Sequence, residues 1–234
     1  LGSSGTKGMA VFGSFRALYF LIIFDLFGGE GLAYHSGLSV AMKKLLSIPE
    51  LWQHSYLTAL TCRNLIAILP PDYISIPPAN LCLAALFHDL GKVDWPEQWF
   101  FLTKDQLGNR DFEIIKEHPM VGANMLENLV PGIPKEIIKL VANHHERPGG
   151  KGYPKQLKEV SREALVLAAC DVYCACTETR PYRKNKLTPQ EALDIIATFA
   201  PQEILQGLWA LKKEGCHEYF RISVGKEIKV GTGI

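Results

Sequence analysis

The stretch ANLCLAALFHDLGK, residues 79–92, decides how this chain folds. By composition it is a buried helix, and Gly91 is placed to end it. Upstream, PPDYISIPP (70–78) carries too many prolines to continue a helix, so the segment is a separate element. His88 and Asp89 stand together at its C-terminal end. An ionised aspartate there is disfavoured by the helix dipole and by burial. It needs a cation. A metal ion is the simplest candidate, with His88 binding one ion and Asp89 able to bridge two.

Working outward, helical signals dominate. SIPELWQHSYLTALTCRNLIAIL (47–69) has Ser47 as its expected cap, Pro49 in the first turn and a long apolar face. IPKEIIKLVANHH (133–145) and SREALVLAACDVYCAC (161–176) are two more helices. Capping-box spacing occurs at Thr103 in TKDQ and at Thr188 in TPQE, where Pro189 takes the first helical position. Strand-like alternation is scarce, and only the tail YFRISVGKEIKVGTGI (219–234) could pair as a short hairpin. There is no internal repeat. The expectation is an all-α helical bundle.

At the N-terminus, residues 1–8 read as a flexible leader and residues 9–46 as a helical extension. FRALYFLIIFDLF (15–27) is strongly apolar but carries Arg16 and Asp25. A spanning helix needs about 20 apolar residues, so no membrane span is expected. This helix instead packs on the bundle, joins a homodimer or meets a sensory partner.

The chain has 234 residues, 47% of them apolar, and a net charge of +1. That charge offers no global attraction to a nucleic-acid polymer or an anionic membrane. Six cysteines fall mainly in apolar helical stretches without a paired framework, which reads as buried, reduced thiols in a cytoplasmic protein.

Seven histidines are present, at 35, 54, 88, 118, 144, 145 and 217. Glu50 and His54 are four apart and share a helix face. His118 precedes Pro119 near an expected helix start. His144 and His145 end the next helix, and Asp171 sits in an apolar stretch where a free carboxylate is costly. Any one of these taken alone is an ordinary core or surface residue. Spread over separate helices of a chain of modest charge, they point to a metal centre. Mixed imidazole and carboxylate ligation suits iron, manganese or zinc.

HDLGK (88–92) resembles the signature of the HD superfamily of metal-dependent phosphohydrolases. HHERPGGKGYP (144–154) resembles the signature of its HD-GYP branch, and DVYCACTETRPYR (171–183) resembles that branch's next segment. The likeness runs from about residue 47 to about 205, within a catalytic domain assigned to residues 47–234. It implies an all-α bundle around two or three divalent ions, iron or manganese by preference, with zinc, nickel or magnesium allowed. The implied ligands are His54, His88, Asp89, His118, His144, His145 and Asp171, with Glu50 for a third ion. Lys92 would lie near the scissile phosphate, and Tyr153, Arg180 and Arg183 would bind the ligand.

The implied reaction is hydrolysis of cyclic di-GMP, by a hydroxide shared between two ions. The glycines would let the loop after the paired histidines turn tightly against a bulky ligand. Two departures bear on substrate choice: Gly149 stands where the branch usually has an acidic residue, and Cys174 where it has a second acidic one. Lys151 is expected to face solvent. LWQHS (51–55) also resembles the related HDOD signalling modules. The alternatives are thus an HD phosphohydrolase for another nucleotide, or a signalling module with impaired turnover.

Overall fold

Proline sets where several helices begin. The computed structural model describes residue 22 and residues 36–103, 106–178 and 186–213. Within them run α1 (Ser36–Leu46), α2 (Pro49–Ile68), α3 (Pro78–Phe87), α4 (Asn109–Leu129), α5 (Lys135–Asn143), α6 (Arg162–Thr177), α7 (Pro189–Ile196) and α8 (Gln202–Lys213). Short 3-10 turns occupy Leu90–Lys92, Glu97–Phe100 and Pro148–Gly150. Helices α2, α3 and α7 open on proline, whose fixed φ and missing N–H cost nothing at a first helical position. Among the described residues there is no strand, so the all-α expectation holds. No helix there is long and apolar enough to cross a membrane. The apolar segment 15–27 (residue 22 apart), His35, Arg180, Arg183, Cys216, His217 and the tail 219–234 lie outside the described residues.

Three local expectations are corrected. Ser47 does not cap α2: Ile48 holds the cap position, and Ser47 Oγ donates to Lys44 O, closing α1 instead. The helix of 79–92 ends at Phe87, not at Gly91. Gly91 lies in the following 3-10 turn, which presses on α4. A Cβ there would overlap the His118 carbonyl, and Gly122 of α4 meets the turn from the other side. Finally, His118 is not near a helix start. α4 begins nine residues earlier and continues through Pro119. The box at Thr188 forms as expected, with Thr188 Oγ1 accepting from Glu191 N and Glu191 Oε2 accepting from Thr188 N. Thr103 N and Oγ1 donate to Gln106 Oε1, but the described helix that follows starts only at Asn109.

Helix α2 is the spine. It lies against α3, α6, α8 and, at its start, α1. Helix α3 lies on α5, α5 on α4, and α6 on α7. Met42, Leu45, Leu65, Leu81, Leu86, Phe87, Leu126, Ile137 and Tyr173 fill the interior without solvent contact or nearly so. Each such side chain contributes about 1.5–3 kcal/mol by leaving water. The five cysteines described, 62, 82, 170, 174 and 176, are free and buried in the same interior. This packing brings the C-terminal ends of α3 and α5 to the middles of α2, α4 and α6.

Candidate metal centre

Three histidines at that junction are held in one way. His88 Nδ1 lies 2.7 Å from Ala85 O, His118 Nδ1 2.6 Å from Ile115 O, and His144 Nδ1 2.7 Å from Val141 O. Each partner is the carbonyl three residues earlier. A carbonyl oxygen only accepts, so each Nδ1 carries the proton. The carbonyls are free for local reasons. His88 and His144 cap α3 and α5, where the last carbonyls have no helical partner. For His118 the agent is Pro119: residue 119 would ordinarily donate to Ile115 O, and proline has no N–H.

Protonation at Nδ1 leaves a lone pair on each Nε2, and all three point inward. His118 Nε2 and His144 Nε2 are 3.2 Å apart. With neutral rings this is a contact between two acceptors. His88 Nε2 is buried with no hydrogen-bond partner. Burial first, and neighbouring imidazoles for His144, push the pKa of His88, His118 and His144 below the ordinary histidine value. The rings are therefore neutral, and a cation is what such an array lacks.

The carboxylates complete the array. Asp89 Oδ1 lies 3.3 Å from His118 Nε2 and 3.8 Å from His144 Nε2, yet makes no hydrogen bond. Asp89 Oδ2 lies 2.7 Å from Lys92 Nζ, 3.5 Å from His88 Nε2 and 3.9 Å from His54 Nε2. Burial alone would raise the Asp89 carboxyl. The neighbouring His88 ring, the Lys92 ammonium and the contacts of His118 outweigh it and hold the group well below the usual carboxylate range. Asp171 Oδ1 lies 3.0 Å from His54 Nε2 and 3.7 Å from His88 Nε2. It too is held low against burial, chiefly by His54 and His88. Both carboxylates are thus ionised.

These atoms form three overlapping groups that could hold an ion: Asp89 with His118, His144 and His145; His54 and His88 with Asp89; and His88 and His144 with Asp171. Asp89 belongs to two of them, one oxygen facing each. The donor set fits divalent metals that take nitrogen and oxygen ligands.

The loop after the paired histidines closes over one side. Glu146 is fully buried and accepts from Lys155 N (2.6 Å) and Leu157 N (2.9 Å), which folds the loop back on α5. Gly152 passes against the backbone of 145–147, where any Cβ would collide with Arg147 N and His145 O. That approach brings the Tyr153 ring flat against His145, with centroids 4.6 Å apart. Burial, followed by the nearby Asp171 and Asp89, pushes the Tyr153 phenol up. Lys151 is exposed, as expected.

A family model described as an HD domain matches residues 40–204. The chain belongs to the HD domain family. This HD domain is 32% identical to a Thermotoga maritima protein named cyclic di-GMP phosphodiesterase, over 59% of this chain and 39% of that protein. It is 30% identical to 3'3'-cGAMP-specific phosphodiesterase 1 of Vibrio cholerae, over 62% of this chain and 33% of that protein. The chain therefore spans between a third and two-fifths of those relatives. In fold it is similar to the HD domain of the L. monocytogenes phosphodiesterase PgpH, solved in complex with cyclic-di-AMP, with a TM-score of 0.54 and 18% identity over 75% of this chain and 96% of that one.

Of the residues singled out in the sequence, this HD domain brings together His54, His88, Asp89, His118, His144, His145 and Asp171, with Lys92 and Tyr153 beside them. Glu50 is exposed and belongs to none of the three groups. Three neighbours carried no role in the sequence reading. Glu178, at the end of α6, has Oε1 3.3 Å from His54 Nδ1 and so orients that ring. It stands one helical turn beyond Cys174, which was the available cue. Glu146 adjoins the paired histidines, but only the loop's folding gives it a task. Trp95 meets His118 edge-on.

Proposed function

We propose that this HD domain is a metal-dependent phosphodiesterase that hydrolyses a phosphodiester bond of cyclic di-GMP. The observation that carries this reading is the set of inward Nε2 lone pairs sharing one space with two ionised carboxylates. The family match and the curated relative from Thermotoga maritima support it. We assign one ion to Asp89, His118, His144 and His145, and a second to Asp89, His54 and His88, with Asp171 available to both. Iron or manganese suits these ligands, and a third ion near Glu50 is part of the proposal. Such ions, when bound, lower the pKa of a coordinated water and neutralise charge on phosphoryl oxygens.

The chain's own residues do the rest. Asp89 holds both halves of the centre at one spacing. The Lys92 ammonium, reaching in beside Asp89, is placed to attract a phosphoryl oxygen and the charge that grows on it. Tyr153 lines the rim over His145. Arg180 and Arg183 would grip a second phosphate bidentately.

A second reading, another cyclic dinucleotide, is favoured by Gly149 in the loop and by the relative specific for 3'3'-cGAMP. The test is chromatography of products from cyclic di-GMP and 3'3'-cGAMP, using protein loaded anaerobically with manganese or iron, with and without chelator. Chelator-sensitive cleavage of cyclic di-GMP in preference supports the first reading. Preference for the other dinucleotide supports the second. Metal-loaded protein that cleaves neither overturns both and leaves a binding module.

A further inference from the structure

We propose that the Trp95 ring is the platform on which a nucleobase of the substrate stacks, paired with Lys92, which takes the adjoining phosphate. The proposal rests on the functional reading above for the identity of the substrate and goes beyond it in naming where the base sits.

The segment DWPEQWFF (94–101) follows the HDLGK turn directly. Trp95 meets the His118 ring edge-on, with centroids 5.7 Å apart and planes at 86°. Lys92 Nζ lies 5.5 Å from the Trp95 centroid, and the same ammonium is 2.7 Å from Asp89 Oδ2. The indole is thus fastened to the metal centre at two points. Its tie to the hydrophobic core is indirect, through the Phe100 ring 6.0 Å away by centroid. Val93 and Phe100 on either side pack against that core, whereas among the described residues Trp95 and Trp99 are not part of it. Both tryptophans are half-buried, 5.6 Å apart by centroid. A ring of this size, only half-buried and beside a cation, forms an aromatic wall at the reaction centre. The Tyr153 ring also lies 6.5 Å from that of His118. His118 is therefore near two aromatic rings besides the histidines.

A ligand entering such a site has its charge and its flat surface placed for it. A phosphate drawn to Lys92 and the ions leaves its own nucleoside, one ribose away, beside the Trp95 ring. Stacking of a base on an aromatic side chain is sequence-tolerant and is typically worth about a tenfold change in affinity or more. Cation–π attraction also holds the lysine against the indole between turnovers.

The experiment compares GMP with ribose 5-phosphate, which carries the same phosphate and no base. Titration calorimetry on manganese-loaded wild type, Trp95→Ala, Trp95→Leu and Trp95→Phe reads the dissociation constants. Wild type binds GMP about tenfold or more tightly than ribose 5-phosphate. Trp95→Ala and Trp95→Leu abolish that difference with ribose 5-phosphate affinity unchanged, and Trp95→Phe restores most of it. In turnover of cyclic di-GMP, Trp95→Leu raises KM by a similar factor while kcat moves less. Equal affinities for the two probes in wild type overturn the assignment. So does an equal weakening of both probes in the variants, which would mark a merely structural ring. Should Trp95→Ala not fold, the leucine variant keeps bulk without an aromatic face and gives the same reading. A wild type that prefers GMP but cleaves no cyclic dinucleotide removes the functional reading and leaves the stacking site intact.

Discussion

Replacing Pro119 by alanine separates the folding and the metal-binding roles of α4. The structure supplies the terms. Alanine restores a donor at residue 119 and relieves a proline penalty of about 3 kcal/mol in a helix interior. It also frees the unfolded chain, at a cost of about 1 kcal/mol. Pro119 is buried, so its ring loses two methylenes from the interior, about 0.8 kcal/mol each. These terms nearly cancel, and the melting temperature of metal-free protein should move by only a few degrees. The Ile115 carbonyl, now claimed by the helix, no longer belongs to His118 Nδ1 alone, which it holds at 2.6 Å. Loss of an orienting partner behind a ligating histidine typically weakens metal binding by about 10–100-fold. Competition titration of manganese against a fluorescent chelator measures that change. Nitrogen-detected NMR of the histidine rings reads the tautomer directly. A Pro119→Ala protein with wild-type metal affinity would refute the claim that this carbonyl sets the ring.

Asp89→Asn keeps the size of the shared ligand and removes its charge. Metal content per chain should fall, turnover should drop by about 10²–10³-fold or more, and the helical circular dichroism should persist. Full metal content would show that neither group depends on it. Glu146→Gln replaces one of the two acceptors for Lys155 N and Leu157 N by an amide donor. The loss is about 2–4 kcal/mol, or roughly 4–16 °C in melting temperature for a chain this size, with earlier proteolysis in 149–157. A melt within 2 °C of wild type would mean the loop is anchored elsewhere.

Acid should destabilise the metal-free fold from near neutrality. The lowered pKa values of His88, His118 and His144 mean that below about pH 6.5 the unfolded chain takes up protons the folded chain refuses. Each ring then costs up to about 1.4 kcal/mol per pH unit. Asp89 and Asp171, held low, withdraw their contribution only below the ordinary carboxylate range. A melting temperature flat between pH 7 and 5 would show the imidazoles titrating in the fold as they do in the unfolded chain.

Much was legible locally. Helix starts at Pro49 and Pro189 follow from a proline rule that needs no neighbours, whereas Pro78, read as part of the break before residue 79, opens its helix by the same rule. The ligand types were readable because buried imidazoles and carboxylates on apolar helices need partners. Helix ends read less well. Pro119 looked like a boundary because the residue that compensates for it, His118, acts through a ring position that the letters do not show. Gly91 looked like a cap, and its small size serves the approach of α4 instead.

Helical class, element order and the chemistry of the donor atoms belong to the sequence alone, because each depends on a residue and those within a turn of it. Which donors share a space belongs to the tertiary structure. His54 and Asp171 are separated by 117 residues yet lie 3.0 Å apart, because α2 and α6 pack side by side. Glu178 behind His54, Glu146 under the loop and Trp95 beside Lys92 acquire their tasks in the same way. Burial and angle make a carboxylate or an indole part of a site, and both are set by helices that are remote in the chain.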